Sequence, residues 1–236
     1  MGFVIAIDGP SGAGKSTTAR AVASRLKIPF LDTGALYRAI ALRVLRQGIG
    51  PHDEDAVARC AEEASIELTG TPNDTHVVLD GEDVTQEIRT PVVSEMSSRI
   101  AVQSAVRRRL VELQREVASR GPVVAEGRDL GTVVFPDAQV KIYLDADVEA
   151  RAERRTRELQ GRGIAVARQD VREDLERRDE RDRGRSDSPL RRADDALVID
   201  TTQLTLEQQI EAVLAAVRGH PECPPGWQAR AAGPAA

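Results

Sequence analysis

The chain has 236 residues, of which 41% are hydrophobic and 30% charged, and this composition is typical of a folded globular protein. Its formal net charge of -5 gives no overall attraction to nucleic acid or to an anionic membrane surface, so we expect neither as a partner. No uncharged run exceeds seven residues, which argues against a transmembrane helix and against the apolar stretch of a secretory signal.

The two cysteines, Cys60 and Cys223, are far apart and lack histidine neighbours at the spacing of metal ligands. We therefore expect neither a disulfide framework nor a zinc cluster, and this cysteine usage predicts a cytoplasmic location. Once the core helices are assigned, no large exposed apolar stripe is left over, so we expect a monomer.

Short apolar segments alternate with amphipathic helices along the chain. Buried strands are predicted at residues 3–7, 28–31, 123–125, 140–144 and 197–199. Helical patterns are predicted over residues 16–27, 33–48, 53–65, 91–120, 147–184 and 206–217. The stretch 91–120 is expected to form two helices, and 147–184 to break at Gly161 and Gly163. This alternation predicts an α/β fold with a parallel five-stranded sheet flanked by helices, on which ligands bind beyond the carboxyl ends of the strands.

Two segments depart from this alternation. Residues 66–90 contain short strand-like pieces separated by Gly70 and Gly81, which predict a small antiparallel β insertion. Residues 219–236 hold four of the twelve prolines and no apolar periodicity. They are predicted to be a flexible C-terminal tail whose deletion changes stability and activity little.

A glycine-rich loop follows the first strand and fits G-x-x-x-x-G-K-[ST] at every fixed position. Its glycines let successive N–H groups point at one anion, and the following helix directs its positive end to the same place. Lys15 is predicted to reach the β- and γ-phosphates, and the Ser16 hydroxyl to ligate Mg²⁺. The residues predicted to bind a nucleoside triphosphate are Gly9, Pro10, Ser11, Gly12, Ala13, Gly14, Lys15, Ser16 and Thr17.

A second anion site is predicted at the same edge of the sheet. Arg38 lies one turn into the helix after the second strand, where the alternative is a solvated surface arginine. After the third strand of the sheet, Glu126 stands where a Walker-type acid would hold Mg²⁺ through water, and Arg128 can bind a phosphate with two hydrogen bonds.

A charged cluster near residue 180 has two interpretations. Arg178, Arg181, Asp182 and Arg185 lie at positions i, i+3, i+4 and i+7, on one face of a helix. Such a run is often a solvated helix stabilised by i,i+4 pairs. Above a phosphate site it is instead a mobile helical lid that screens the transferring charge.

Together these stretches closely resemble the bacterial cytidylate kinases, a family of P-loop nucleoside monophosphate kinases. The resemblance runs in order over roughly residues 3–217 and rests on residues 9–16, 32–38, 81–89, 126–138 and 178–185. It implies ATP–Mg²⁺ as donor and CMP or dCMP as acceptor, with CDP or dCDP and ADP as products, in pyrimidine nucleotide metabolism.

The resemblance also implies roles for individual phosphate-binding residues. Arg38 and Arg128 match the arginines that hold the CMP phosphate, and Arg178 matches one near that phosphate. Arg185 matches an arginine that reaches the nucleotide from the lid, and Arg154 matches a residue on the adenine side.

Four further residues match positions that bind the nucleoside. Ser98 and Arg107 match residues that contact cytosine, Asp129 an aspartate that helps to read the nucleoside, and Asp182 one that holds the ribose hydroxyls. The side chains expected to act in catalysis are Lys15, Arg128, Arg178, Arg181 and Asp182.

We therefore predict a P-loop kinase core over residues 1–218. It contains a monophosphate-binding insertion at 66–120 and a lid at about 155–187, and a tail follows at 219–236. The alternative enzyme is another small-molecule P-loop kinase, acting on UMP or on a non-nucleotide acceptor. A regulatory GTPase is disfavoured, because no lysine follows an asparagine as its guanine-binding motif requires.

Overall fold

A five-stranded parallel sheet forms the centre of the protein, as the alternating segments predict. The structure, a computed structural model, describes residues 2–161, 163–185 and 187–230. In chain order the strands are β1 Val4–Asp8, β2 Phe30–Asp32, β3 Ile66–Thr71, β4 Asp74–Leu79, β5 Glu82–Asp83, β6 Val123–Glu126, β7 Val140–Asp145 and β8 Leu197–Asp200. The parallel sheet has the order β2-β6-β1-β7-β8, and β3, β4 and β5 form a separate antiparallel sheet.

Helices connect these strands and cover the sheet. In chain order they are α1 Lys15–Leu26, α2 Thr33–Arg46, α3 Glu54–Glu63, α4 Pro91–Ile100, α5 Ser104–Ser119, α6 Val148–Gly161, α7 Arg168–Arg183, α8 Leu206–Gly219 and α9 Pro225–Arg230. A 3-10 turn at Glu87–Arg89 precedes α4, and a π-helical turn at Leu130–Val134 follows β6. Within the described ranges, no helix combines the length and the apolar character that a membrane span requires.

The central strand β1 is buried on both faces, which explains its uninterrupted apolar sequence. Val4 and Ala6 pack into the core that contains the apolar side chains of α2 and α5. Ile5 and Ile7 point to the other face and pack into the core formed with α1 and α8. Because successive side chains of a strand alternate between its faces, one short segment joins two hydrophobic cores.

The chain turns directly from strand into helix at the edge where ligands are expected. Asp32 ends β2 and caps the N-terminus of α2, since its carboxylate accepts a hydrogen bond from the N–H of Ala35 at 2.8 Å. In the paired strands Asp32 lies opposite Glu126, and Ile7 also lies opposite Glu126 from the other side. Acidic side chains from neighbouring strands therefore meet at one edge of the sheet.

The predicted β insertion packs against α2. Its strands pair in antiparallel register, with Ile66 opposite Leu79. Val77 and Leu79 are buried in the same core as the apolar side chains of α2. This packing fixes the insertion, and α4 behind it, beside the helix that carries Arg38.

The charged segment predicted as a lid consists of the two helices α6 and α7. They pack on each other through a small apolar cluster formed by Ala152, Val171 and Leu175. α6 ends at Gly161 and α7 begins at Arg168, which agrees with a helix break at the predicted glycines. Nearly all other side chains of the pair are polar, so this small core and contacts at the base of the helices hold them in place.

The prediction of a flexible tail is wrong for residues 220–230. Trp227 is 6% exposed, and its ring meets that of Phe3 edge to face, with centroids 5.2 Å apart. Cys223 is also buried, and both side chains belong to the core beneath α1. One docked aromatic side chain buries a large apolar area without any periodic pattern. The end of the predicted tail, residues 231–236, lies outside the described residues.

Candidate active site

A cleft of about 860 Å³ opens where β1, β2 and β6 end. Most of the predicted site residues line it: Ser11, Gly12, Gly14, Lys15, Ser16, Thr17, Arg38, Ser98, Arg107, Glu126, Arg128, Asp129, Arg154, Arg178, Asp182 and Arg185. Gly9, Pro10, Ala13 and Arg181 do not line the cleft. The structure thus brings together side chains from segments as far apart as α1 and α7.

The glycine-rich loop leaves β1 through a backbone position that only glycine fits. Gly9 has a φ of +144°, and a Cβ built on it would lie 2.0 Å from the carbonyl oxygen of Leu144. At the other end of the loop Lys15 begins α1 and is buried, with its Nζ donating to the carbonyl of Pro10 at 2.7 Å. Burial, together with the nearby charge of Arg128, lowers the pKa of Lys15 to about 7. The carboxylates of Glu126, Asp179 and Asp182 favour the charged form of Lys15 but do not outweigh burial, and a bound phosphate would favour the charged form further.

Two oxygen ligands suited to a magnesium ion lie side by side below this loop. The Ser16 hydroxyl donates a hydrogen bond to Oε1 of Glu126. Burial raises the pKa of Glu126, and the carboxylate of Asp32 on the next strand raises it further. Among the described residues no cluster of three or more His, Cys, Asp or Glu ligands occurs. The oxygen donors fit Mg²⁺, which usually completes its octahedral shell with phosphate oxygens and water.

A charged network extends from the loop after β6 to the lid helix α7. Nε of Arg128 donates to Oδ2 of Asp182 at 3.0 Å, and Nη2 of Arg185 donates to Oδ1 of the same carboxylate. Burial opposes the charge of Asp182, but Arg128 and Arg185 outweigh it and lower the pKa. Asp182 is 6% exposed, so this part of the helix is not a solvated face.

Arg178 and Arg181 lie on the same helix but have different surroundings. Arg178 lines the cleft, where burial and the neighbouring charge of Arg128 lower its pKa. Arg181 instead donates to the hydroxyl of Ser98 at 3.0 Å and lies 3.6 Å from a carboxylate oxygen of Glu95. The prediction placed Arg181 over the transferring group, whereas the structure shows that it ties α7 to α4.

Arg38 is held at the start of α2. Its Nη2 donates to Oδ2 of Asp32 at 3.0 Å, and its guanidinium lies over Gly34, where a Cβ would come within 3.0 Å of Nη1. Its Nε is buried and has no hydrogen-bond partner among the described residues. Arg38 is therefore oriented towards the cleft, rather than being a free surface arginine.

A buried group of polar side chains closes the far end of the cleft. Nη2 of Arg107 donates to Oδ2 of Asp129, and the guanidinium lies over the ring of Tyr37, 5.8 Å from its centroid. Burial raises the pKa of Tyr37 to about 12. Ser98 lines the same region from α4. Tyr37 belongs to the segment 32–38 but is absent from the predicted site.

The segment that carries Arg128 and Asp129 is supported by a residue that sequence reasoning missed. Asp8, at the end of β1, accepts hydrogen bonds from the N–H groups of Leu130 at 2.9 Å and Gly131 at 2.8 Å. Burial raises the pKa of Asp8 to about 6 despite these two bonds. Its position directly before the glycine-rich loop is the one signal that the sequence offers.

Arg154 occupies the opposite end of the cleft. Its Nη1 donates to the hydroxyl of Thr201 at 3.1 Å, and that hydroxyl in turn donates to the carbonyl of Ala13 at 3.0 Å. Sequence reasoning also missed several residues that line the cleft: Arg20, Asn73, Arg89, Leu204, Leu206 and Gln209. The last three follow β8 and form an apolar and amide surface next to Arg154, because the chain returns there from the edge strand.

The residues that line this cleft all lie within the part of the chain that matches known proteins. A family model described as cytidylate kinase matches residues 5–219. The cytidylate kinase of Carboxydothermus hydrogenoformans is 45% identical over 210 residues, which cover 89% of this chain and 95% of the relative. That of Pelotomaculum thermopropionicum is 48% identical over 214 residues, covering 90% and 95%. That of Geobacter sulfurreducens is 44% identical over 225 residues, covering 95% and 97%.

Proposed function

The chain belongs to the cytidylate kinase family, and we propose that it transfers the γ-phosphoryl group of ATP to CMP or dCMP. The products are ADP and CDP or dCDP. One observation carries this proposal: two separate sets of anion-binding groups line the same cleft. The first is the phosphate loop with Lys15, and the second comprises Arg38, Arg128, Arg178 and Arg185.

The donor binds at the phosphate loop. Backbone N–H groups at the N-terminus of α1 and the positive end of the helix dipole favour the triphosphate there. Lys15 neutralises negative charge on the β- and γ-phosphates as the γ-phosphoryl group leaves. The adenine end lies towards Arg154, Leu204 and Leu206, which together offer a cation and an apolar surface for a flat base.

Magnesium fits beside the donor phosphates. The Ser16 hydroxyl and the Glu126 carboxylate would hold it, with Glu126 acting through water. The ion supplies a positive charge that neutralises the phosphate oxygens. Burial raises the pKa of Glu126, and a cation held here would favour its carboxylate form.

The acceptor is positioned rather than activated. A monophosphate is already an anion at neutral pH, so its oxygen needs no strong general base to attack. Arg38 and Arg128 bind this phosphate. Arg178 lies close enough to Arg128 for their like charges to repel each other, and an anionic phosphate between them would relieve that repulsion. Asp182, held by Arg128 and Arg185, is placed to accept hydrogen bonds from the ribose hydroxyls. Catalysis then rests on positioning and on charge neutralisation.

The cytosine base is read at the end of the cleft that holds Arg107 and Asp129. Cytosine presents an amino donor at N4 and acceptors at N3 and O2, so Asp129 or Ser98 accepts from N4. Arg107 or Arg185 donates to N3 or O2. The Nε atoms of both arginines are buried and have no hydrogen-bond partner among the described residues, which leaves donors for a ligand.

The lid helices exclude water during transfer. α7 supplies Arg178 and Asp182 to the cleft, and Arg185 reaches it from the segment directly after this helix. Closure of the lid over the nucleotides therefore removes solvent from the reacting phosphate. Exclusion of water prevents simple hydrolysis of ATP. Arg181 holds this lid to α4 through its hydrogen bond with Ser98.

We also propose that the enzyme is monomeric and works in the cytoplasm, in pyrimidine nucleotide metabolism. Both cysteines are free and buried, as suits a reducing compartment. Large exposed apolar side chains are few in the described part of the chain, the most exposed being Val92. Gel filtration coupled to light scattering tests the oligomeric state. We expect the mass of one chain, 25.6 kDa, at the enzyme concentration used for kinetics.

A coupled assay of ADP release with ATP, Mg²⁺ and one acceptor at a time tests the function. We expect rapid release with CMP and dCMP, and the formation of CDP and dCDP in the same amounts as ADP. Equal rates with UMP would favour a broader pyrimidine kinase. ADP release that no acceptor stimulates would contradict phosphoryl transfer to a nucleotide.

A further inference from the structure

The phosphate loop is held at Ser11 by two charged side chains of the lid helices α6 and α7. Oδ1 of Asp179 accepts a hydrogen bond from the N–H of Ser11 at 3.2 Å. Nη1 of Arg151 donates to the carbonyl oxygen of Ser11 at 2.9 Å. Arg151 and Asp179 also bind each other at 2.6 Å. A single ion pair therefore satisfies both backbone groups of one loop residue.

This ion pair is almost completely enclosed. The side chains of Arg151 and Asp179 are 7% and 3% exposed, and Nε of Arg151 donates to the carbonyl of Ala146 at 3.0 Å. Buried ion pairs contribute little stability compared with apolar side chains of the same size, because desolvation offsets their attraction. The position of the pair on the phosphate loop therefore points to a role other than stability.

The next residue of the phosphate loop, Gly12, packs directly against α6. Gly12 has a φ of +79°, and a Cβ there would lie 3.2 Å from Cβ of Arg151 and 3.3 Å from its carbonyl oxygen. The loop backbone thus rests directly on the helix. A shift of α6 would have to move the loop with it.

Asp179 lies between residues of α7 that line the cleft. Arg178 precedes it, and Asp182 follows it by three positions, almost one helical turn. The contact between Asp179 and Ser11 therefore limits both the rotation of α7 and its distance from the phosphate loop. Those two quantities determine where Arg178 and Asp182 stand relative to Lys15.

We propose that Arg151 and Asp179 are positioning residues that couple the lid to the phosphate loop. They set the lid charges at the correct place relative to the donor phosphates, so that both nucleotides are in line when the lid is closed. The inference deepens the proposed phosphoryl transfer and rests on it. Because a misplacement of about 1 Å lowers rates about 100-fold, the effect is expected in kcat more than in nucleotide binding.

Two variants test this coupling. Asp179→Asn keeps the size of the side chain and removes its charge. The double variant Arg151→Met with Asp179→Leu replaces the pair by apolar side chains, a change that buried pairs often tolerate. For each we expect kcat per ADP-binding site, counted by equilibrium dialysis, to fall at least about 10-fold. The number of sites should stay close to that of the unmodified enzyme in both variants. The melting temperature should stay close to the original in the double variant and fall in Asp179→Asn, which leaves the buried Arg151 without its partner.

The controls separate positioning from simple stabilisation. Glu149→Gln removes an exposed ion pair with Arg168 on the same two helices and should leave kcat unchanged. The coupling is wrong if a folded variant keeps the original kcat per site, or if Glu149→Gln lowers kcat equally. Absence of CMP turnover in the unmodified enzyme would instead overturn the proposed function.

A measurement on the unmodified enzyme needs no substitution. Hydrogen exchange of the Ser11 amide should be slow without nucleotide, because Asp179 accepts its hydrogen bond. Exchange at the rate of a free loop amide would overturn the coupling even if both variants failed to fold.

Discussion

Arg107 of α5 and Asp129 of the segment after β6 form an ion pair whose side chains are 4% and 9% exposed. Burial opposes the charge of Arg107, but Tyr37 and Asp129 outweigh it and raise the pKa. Nη1 of Arg107 donates to the carbonyl of Ala101 at 3.3 Å. The pair thus presents a carboxylate and a guanidinium side by side, which is the arrangement that complements the edge of cytosine.

The first prediction concerns the choice of base. Uracil has an acceptor at O4 and a donor at N3, so it would place like groups against Asp129 and Arg107. We expect kcat/KM for CMP to exceed that for UMP by at least about 100-fold, as for one or two unpaired polar groups in a closed site.

Two substitutions locate this discrimination. Arg107→Ala should lower kcat/KM for CMP more than for UMP and so reduce the ratio of the two values. Arg38→Ala should lower both values by the same factor, because both acceptors carry the same phosphate. Steady-state kinetics with the two acceptors, on protein whose melting curve shows that it is folded, measures the ratio. An unchanged ratio in Arg107→Ala would remove Arg107 from base recognition.

The second prediction concerns Lys15. Lys15→Ala should lower kcat at least about 100-fold, the scale for removal of one preorganised charge or donor from an active site. The fold should persist, because the only hydrogen bond of the ammonium group in the described structure goes to the carbonyl of Pro10. Near-normal turnover by the folded variant would refute the assignment of the phosphate loop.

The third prediction concerns Asp8, which accepts two buried N–H groups. Asp8→Asn leaves one of them facing an amide NH₂, and an unsatisfied buried donor costs about 1–3 kcal/mol in the free energy of unfolding. Because Leu130 and Gly131 follow Asp129 directly, KM for CMP should rise as well. Urea unfolding and acceptor kinetics measure the two effects. A variant with unchanged stability and KM would show that the loop does not depend on Asp8.

The stability difference between the unmodified protein and Asp8→Asn should depend on pH. Burial raises the pKa of Asp8 from 3.8 to about 6, so between these values the folded protein binds the extra proton. Its contribution to stability is therefore fully present below about pH 4 and is lost as the pH rises through about 6. Asparagine does not titrate, so the excess free energy of unfolding of the unmodified protein over Asp8→Asn should shrink as the pH rises over this range. An advantage that grew instead would mean that hydrogen bonding, not burial, dominates.

The fourth prediction concerns Trp227. Trp227→Ala should lower the free energy of unfolding by about 3–5 kcal/mol, the usual cost of emptying a buried aromatic site. Deletion of residues 221–236 should lower the melting temperature for the same reason. Gln228→Ala is the matched control, since Gln228 is exposed on the same helix. Equal melting temperatures for Trp227→Ala, the deletion and Gln228→Ala would show that the C-terminal helix does not pack on the core in solution.

Local patterns determined much of this protein. A buried parallel strand requires a continuous apolar run, and a loop that wraps a phosphate requires glycines at fixed positions, so both are legible in residues 3–16. The two helices between residues 91 and 120 and the break near Gly161 follow from the same local rules. Charge spacing was also correct in placing Arg178 and Asp182 on one side of a helix. It was wrong for Arg185, because α7 ends at Arg183 and Arg185 lines the cleft from the segment that follows.

Tertiary structure decided what those local patterns left open. Spacing puts Arg181 on the same helix face as Arg178, but only the approach of α4 gives it Ser98 as a partner instead of the cleft. Trp227 docks on Phe3 across the whole length of the chain, and a single contact of this kind leaves no periodic signal. The pairing of Arg151 with Asp179 likewise depends on how α6 and α7 fold together. Charged side chains occur throughout both helices, so the sequence does not show which two are buried together at the phosphate loop.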